Sequence, residues 1–277
     1  ERSQPNLEHC MFWNFLHFTQ NIRLFALYQF SLVSVLCSAK YKSKQGRNVN
    51  VKIGGIIGGV SWHSTKQIYE FVNTKVAAQK GRHNCAELVL VNVNLENILN
   101  AESDAEKGNI LVQAAKRIEK AGGDFVALGS NGLHQYASYI ENAIHIPFIH
   151  IADVTADGIL RAGHQAVGLL GVKETMELDF YKSRLIKKGL HVLIPEEKDR
   201  NYIDRVLFQE TGVGVVREES REGFYAISKK LVERGAECII LGCTEIDMLM
   251  DQERSEVPLY DTTLLYSEKI ADLCCSD

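Results

Sequence analysis

The chain is poor in the features that would assign it quickly. It has only four prolines and no Pro/Ser-rich stretch, so no flexible linker is marked along its 277 residues. Its seven cysteines, at positions 10, 37, 85, 238, 243, 274 and 275, form no CxxC and no Cys/His cluster. That spacing excludes a zinc module and a disulfide framework. Read as reduced thiols, they fit a cytoplasmic setting. There is no basic stripe: 31 Lys and Arg stand against 35 Asp and Glu, a net charge of −4, so a nucleic-acid partner lacks its electrostatic footprint. The apolar run Leu24 to Leu36 is too short to cross a bilayer, so no membrane partner is expected. What remains, at 45% hydrophobic and 24% charged residues, is the makeup of a folded enzyme with a real core.

Residues 1–50 differ in character from the rest, with Phe12, Trp13, Phe15, Phe18, Phe25 and Tyr28 crowded together. They read as a non-domain extension at an incomplete or wrongly predicted start, since the chain opens with Glu1. The competing reading is targeting sequence, because residues 23–39 resemble a signal-peptide core: Arg23, an apolar run, then Cys37-Ser38-Ala39.

Beyond that extension the chain contains itself twice. The segment Lys116 to Leu133, KRIEKAGGDFVALGSNGL, returns from Lys229 to Ile246 as KKLVERGAECIILGCTEI, placing Ser130 on Cys243 at an offset of 113. Gly55-Ile56-Ile57-Gly58 returns at the same offset as Gly168-Leu169-Leu170-Gly171, and Pro147 and Pro258 begin equivalent strands. A short apolar strand running into a glycine-rich turn is expected over 51–59, further strands at 88–93, 125–128, 148–151, 166–170, 191–194, 238–241 and 259–260, and helices at 66–79, 109–120, 177–188 and 219–234. This alternation gives an α/β fold of two pseudo-symmetric domains, each with a mostly parallel four-stranded sheet flanked by helices. The expected halves are 51–160 and 161–277, with the C-terminal segment returning to the first half. The active site is expected in the cleft between them, at the C-terminal strand ends.

The candidate chemistry sits there. Cys243 follows a strand and is expected to precede a helix whose dipole lowers its pKa, making it a base or nucleophile; a buried strand-end cysteine is the plainer alternative. Cys238 lies inside the strand and belongs to the core, while Cys85, Cys274 and Cys275 have packing or surface explanations. The run Gly54 to Gly59 followed by Ser61, Ser64 and Thr65 reads as a strand, a glycine turn and a capped helix. That is either an anion cradle or a plain capped turn, and it fits neither dinucleotide nor P-loop lettering.

At these residues the lettering resembles the cofactor-independent aspartate/glutamate racemase family, which includes hydantoin racemases and related lyases. Gly58-Gly59-Val60-Ser61-Trp62 resembles its opening turn, Thr175-Met176-Glu177 through Phe180-Tyr181 its middle helix, and Gly242-Cys243-Thr244-Glu245-Ile246 its most specific motif. Asp199-Arg200, Glu219-Ser220-Arg221 and Asp261-Thr262-Thr263 continue the series over roughly residues 51–270. The resemblance implies proton exchange at Cα of an amino acid between two acid/base groups on opposite faces, without cofactor or metal. It implies a small amino-acid or carboxylate substrate, and a homodimer is an expectation from the family alone. Carried over, Asn131, Gly132 and Thr244 with adjacent N–H groups hold the α-carboxylate, and Ser61 and Thr65 complete the cradle. Glu245 either orients the Cys243 loop or is a carboxylate at a helix start.

The sequence departs from the family at Ser130, where a cysteine is usual, and at Gly132, where threonine is usual. A hydroxyl cannot supply an alkoxide base unaided. His134 is either a relay to Ser130 or a satisfied structural group. Arg82 and His83 lie roughly where the family recognises a distal carboxylate, with solvated loop charges as the alternative. Gly214-Val215 lacks the Lys that follows this Gly in acidic-substrate members, and Tyr266 stands where relatives often have His. The alternatives to a racemase are a single-thiol decarboxylase or lyase of the same fold and a catalytically silent carboxylate-binding relative.

Overall fold

The computed structural model describes residues 51–276; the extension 1–50, with its apolar run, lies outside the described residues. The first half runs β1 (Gly54–Gly58), α1 (Trp62–Lys80), β2 (Leu88–Asn92), α2 (Leu95–Leu99), α3 (Asp104–Lys120), β3 (Phe125–Leu128), α4 (Ala137–Glu141), β4 (Phe148–Ile149) and α5 (Ile151–Arg161). The second runs β5 (Ala166–Leu170), α6 (Lys173–Glu177), α7 (Asp179–Lys187), β6 (His191–Leu193), α8 (Glu197–Gln209), α9 (Glu218–Glu233), β7 (Cys238–Leu241), β8 (Leu259–Asp261) and α10 (Thr262–Cys275). The strands form two sheets ordered β2-β1-β3-β4 and β6-β5-β7-β8, with every pairing parallel. The repeat in letters is therefore a repeat in topology. Among the described residues no helix is long and apolar enough to cross a membrane.

The physical reasons for the repeat lie in matched contacts. A Cβ added to Gly55 would fall 2.1 Å from Ile118 Cγ2, and one added to Gly168 would fall 2.9 Å from Leu231 Cδ1. Glycine in β1 and β5 is thus what lets α3 and α9 press onto the sheets. Each half also opens its central strand on a carboxylate. Asp124 accepts from the Ile53 N–H at 2.6 Å, and Glu237 accepts from Gln165 and Ala166 N–H at 2.6 and 3.1 Å. At the other end the Gly129 N–H donates to Ile57 O at 2.9 Å and the Gly242 N–H to Leu170 O at 2.7 Å. These bonds carry each ladder one residue past its strand, so Ser130 and Cys243 both emerge at a C-terminal strand end.

Three local expectations are corrected. Within 51–59 the strand is the glycine run itself, Gly54–Gly58, fully buried between neighbours that leave its glycines no room for a Cβ. The turn is confined to Gly59, whose φ of +91° favours glycine. The strand at 148 ends at Ile149, because His150 becomes the N-cap of α5 and accepts from the Ala152 N–H through Nδ1. Helices α2, α4, α5, α8 and α10 are additional to those expected. In α10 the buried positions include Thr263, Tyr266, Ser267 and Cys274, a mixture that blurs an apolar stripe.

Helix α10 follows β8 of the second sheet and packs against α1 of the first half. The Tyr266 hydroxyl donates to Ile149 O and accepts from the Leu128 N–H at 3.0 Å, tying α10 to β3 and β4. Lys52 Nζ donates to Ser276 Oγ at 2.9 Å and Gln79 Nε2 to Asp272 Oδ1 at 2.9 Å.

Candidate active site

Cys243 is partly buried immediately beyond β7, and its thiol donates to Glu245 Oε2 at 2.8 Å. The expected depression of its pKa is overturned: burial and the facing Glu245 carboxylate push the thiol well above its ordinary value. The reason lies in the local fold. The loop leaving Cys243 enters a three-residue 3₁₀ turn, Ile246–Met248, rather than an α-helix, so no long dipole points at the sulfur. Glu245 also accepts from Thr244 Oγ1 at 2.7 Å, and Thr244 Oγ1 accepts from Ser64 Oγ at 2.8 Å. A chain of hydroxyls thus runs from α1 of the first half to the carboxylate beside the thiol.

The sequence favours Ser61 and Thr65 over Ser64, and the structure reverses that emphasis. Ser61 is the N-cap of α1, accepting from the Ser64 N–H at 3.4 Å. The Thr65 hydroxyl is consumed locally, accepting from Gly59 N–H and donating to Ser61 O, both at 2.9 Å. Thr65 therefore fixes the glycine turn, and Ser64 is the hydroxyl turned to the other half. One turn further along α1, Gln67 Nε2 donates to Asp247 Oδ2 at 2.8 Å. The spacing of Ser61, Ser64 and Gln67 on one helix face was the available signal.

Ser130 occupies the equivalent strand end, followed by the 3₁₀ turn Gly132–Tyr136 and the short α4. Its hydroxyl accepts only from the Leu133 N–H, at 3.4 Å, among the described residues. His134 cannot relay to it. Its Nδ1 meets Ser130 O at 2.6 Å and its Nε2 accepts from the Ile151 N–H at 3.2 Å, so both ring nitrogens are spent on backbone. Burial lowers its pKa to about 4, keeping the ring neutral. His134 holds the Ser130 loop in place.

The two loops are joined through one threonine. Asn131 Nδ2 donates to Thr262 Oγ1 at 3.0 Å, and Thr262 Oγ1 donates to Leu241 O at 2.9 Å, two residues before Cys243. Gly132 lies beside Val172, 3.6 Å from where its Cβ would be, so the same loop also meets the segment after β5. Asn131 Oδ1, Thr175 Oγ1 and Thr263 Oγ1 are buried without a hydrogen-bond partner among the described residues. Thr175 packs against Gly171 and Gly242. Orphaned polar atoms at strand ends are the places where a ligand completes the hydrogen bonding.

The remaining candidates fall elsewhere. Arg82 and His83 are exposed and bonded to each other at 3.2 Å, between the C-terminus of α1 and the N-terminal edge of β2. That is the opposite end of the sheet from Ser130. Cys238 is fully buried in β7, where burial raises its thiol to about 12. Glu177 and Arg200, both in the family-like series, pair at 2.8 Å and brace α6 against α8. Gly214, with φ +80°, closes a turn that leaves Val215 exposed.

A sequence model described as Asp/Glu/hydantoin racemase matches residues 57–268, which contain every one of these site residues. The chain belongs to that family. A curated relative, the broad specificity amino-acid racemase RacX of Bacillus subtilis, is 25% identical over 160 residues, spanning 57% of this chain and 68% of the relative. An aspartate racemase homologue from Pyrococcus horikoshii is 31% identical, with a TM-score of 0.72 over 82% of this chain and 100% of its own. A Yersinia pestis protein provisionally assigned as an Asp/Glu racemase is 36% identical, with a TM-score of 0.78 over 81% of this chain and 100% of its own.

Proposed function

We propose that the chain is a cofactor-independent amino-acid racemase that exchanges the Cα proton, with Cys243 as the thiol acid/base and Ser130 in the place of a second thiol. The observation that carries this reading is the Cys243–Glu245 contact at 2.8 Å, at a strand end linked through Thr262 to the Ser130 loop. The thiol is held protonated by burial and by that carboxylate, so at rest Cys243 is a proton donor. To act as a base it first passes its proton to Glu245 Oε2. The thiolate then takes the Cα proton from one face, and the electron pair left behind spreads into the substrate carboxylate, held by the backbone N–H groups of the Asn131–Gly132 and Thr244 loops. A proton delivered to the opposite face, beside Ser130, completes inversion; delivery from Cys243 returns the starting enantiomer.

The reaction is chemically lopsided. With His134 committed to backbone, Ser130 has no base bonded to it among the described residues, and its face depends on water. Solvent deuterium should enter the enantiomer whose Cα–H faces sulfur faster than its mirror image. A second reading draws on the same lone protonated thiol: a lyase that protonates an enolate from one face, which would release CO2 from a substituted malonate.

The test is incubation with L- and D-amino acids in D2O, following loss of the Cα–H signal by NMR. Exchange in the native chain that disappears in Cys243→Ala supports the assignment; exchange unchanged by that substitution ends it.

A further inference from the structure

The electrostatics around Cys243 point to the substrate side chain, on the reading of the site as a racemase centre. Three carboxylates gather at the β7 and β8 strand ends: Glu245 against the thiol, Asp247 two residues on, and Asp261 level with Leu241 in the β7–β8 pairing. Each is partly buried, and none takes part in an ion pair among the described residues. Their partners are neutral. Glu245 accepts from a thiol and a hydroxyl, Asp247 from the Gln67 amide, and Asp261 from the Thr263 and Leu264 N–H groups at 2.7 and 3.2 Å. Lys66, exposed beside Gln67, pairs with none of them, and Lys75 on the same helix is engaged by Glu268 and Asp272. Burial, together with the neighbouring Asp261 and Glu245, raises the Asp247 carboxyl above the usual range, and burial raises that of Asp261.

A second feature is independent of charge. Asn131 Oδ1, on a side chain only 5% exposed, has no hydrogen-bond partner among the described residues. The amide oxygen is an acceptor only, its Nδ2 being spent on Thr262. The surroundings thus hold a free acceptor and several carboxylates, with no paired positive charge among the described residues. Among the described residues no group of three His, Cys, Asp or Glu is placed to hold a metal ion.

We infer that the site takes amino acids with a positively charged side chain, of the lysine and ornithine type, in preference to aspartate or glutamate. The α-ammonium supplies donors to Asn131 Oδ1. The side-chain ammonium supplies the countercharge that Asp247 and Asp261 lack. An acidic side chain would add a like charge to an uncompensated cluster at an effective dielectric well below that of water.

The experiment compares lysine, ornithine, norleucine, aspartate and glutamate by Cα exchange in D2O, with calorimetric binding of each run alongside. Norleucine matches lysine in shape without the charge. The expected order is lysine and ornithine ahead of norleucine by on the order of tenfold in kcat/KM, with aspartate and glutamate slower still. Asp247→Asn should shrink the lysine-to-norleucine ratio severalfold. Aspartate or glutamate exchanging as fast as lysine would overturn the inference, as would a ratio untouched in Asp247→Asn. Failure of the racemase reading looks different: no amino acid exchanges, and the binding order alone then decides whether the cationic side chain is preferred.

Discussion

The loops at Ser130 and Cys243 leave their strands through the same glycine hydrogen bond and then diverge. Beyond Cys243 a carboxylate arrives two residues later and takes the thiol as its partner. The equivalent of Glu245 at Ser130 is Gly132, and the imidazole of His134 is turned onto backbone at both nitrogens. One loop thus carries a proton donor with a proton acceptor beside it, and the other carries a hydroxyl with neither. A duplicated scaffold fixes where two side chains emerge but not what they can do; that depends on the residues within hydrogen-bond reach of each.

The comparison breaks most sharply at the sulfur. Cys243→Ala should lower Cα exchange by roughly a thousandfold or more, while Ser130→Ala costs far less; comparable losses would mean the two loops share the chemistry equally. The scaffold offers a second contrast. A Cβ on Gly55 meets not only Ile118 but the Phe125 carbonyl at 2.7 Å, whereas one on Gly168 meets only the side chains of Ile239 and Leu231. Gly55→Ala should destabilise by about 3 kcal/mol in urea unfolding and Gly168→Ala by about 1, since side chains yield more readily than backbone.

Acid should weaken the Ser130 side first. His134 is neutral in the fold, with its pKa lowered from 6.5 to about 4, so its contribution is fully present above pH 6.5 and is lost as the pH falls through 4. That amounts to roughly 3 kcal/mol at most. Thermal melts across this window should show a shallower pH slope in His134→Asn than in the native chain. Ser130→Cys tests symmetry from the other direction: exchange of the slower enantiomer should rise about tenfold, because a thiol ionises where a hydroxyl does not. Glu245→Gln, which cannot take the thiol proton, should slow exchange from the Cys243 face by roughly a hundredfold. Removing that charge lets the Cys243 thiol fall toward its ordinary value, so the alkaline limb of the pH–rate profile moves to lower pH. An unmoved limb would detach Glu245 from the thiol.

Much of this was legible in advance where one residue type answers to one local constraint. The strands at Phe125, Ala166 and Cys238 have the limits their apolar runs predict, because a short buried strand needs little beyond its own letters. The family was legible at Cys243, whose neighbours spell a motif. It was illegible at Ser64 and Gln67, whose partners Thr244 and Asp247 lie 180 residues away. The upward shift of the Cys243 thiol was illegible because burial and the facing Glu245 carboxylate arise only in the folded chain.

By itself, then, the sequence determined the doubled α/β plan, the glycines that let helix meet sheet, and the strand-end positions of Ser130 and Cys243. These come from periodicity and side-chain volume, which act over a few residues. Only the tertiary structure decided that burial and Glu245 raise the Cys243 thiol, that His134 serves the backbone, and that Glu245, Asp247 and Asp261 gather at neighbouring strand ends with no ion pair among the described residues. Protonation and pairing depend on burial and on charges brought together across the chain, and those exist only once it has folded.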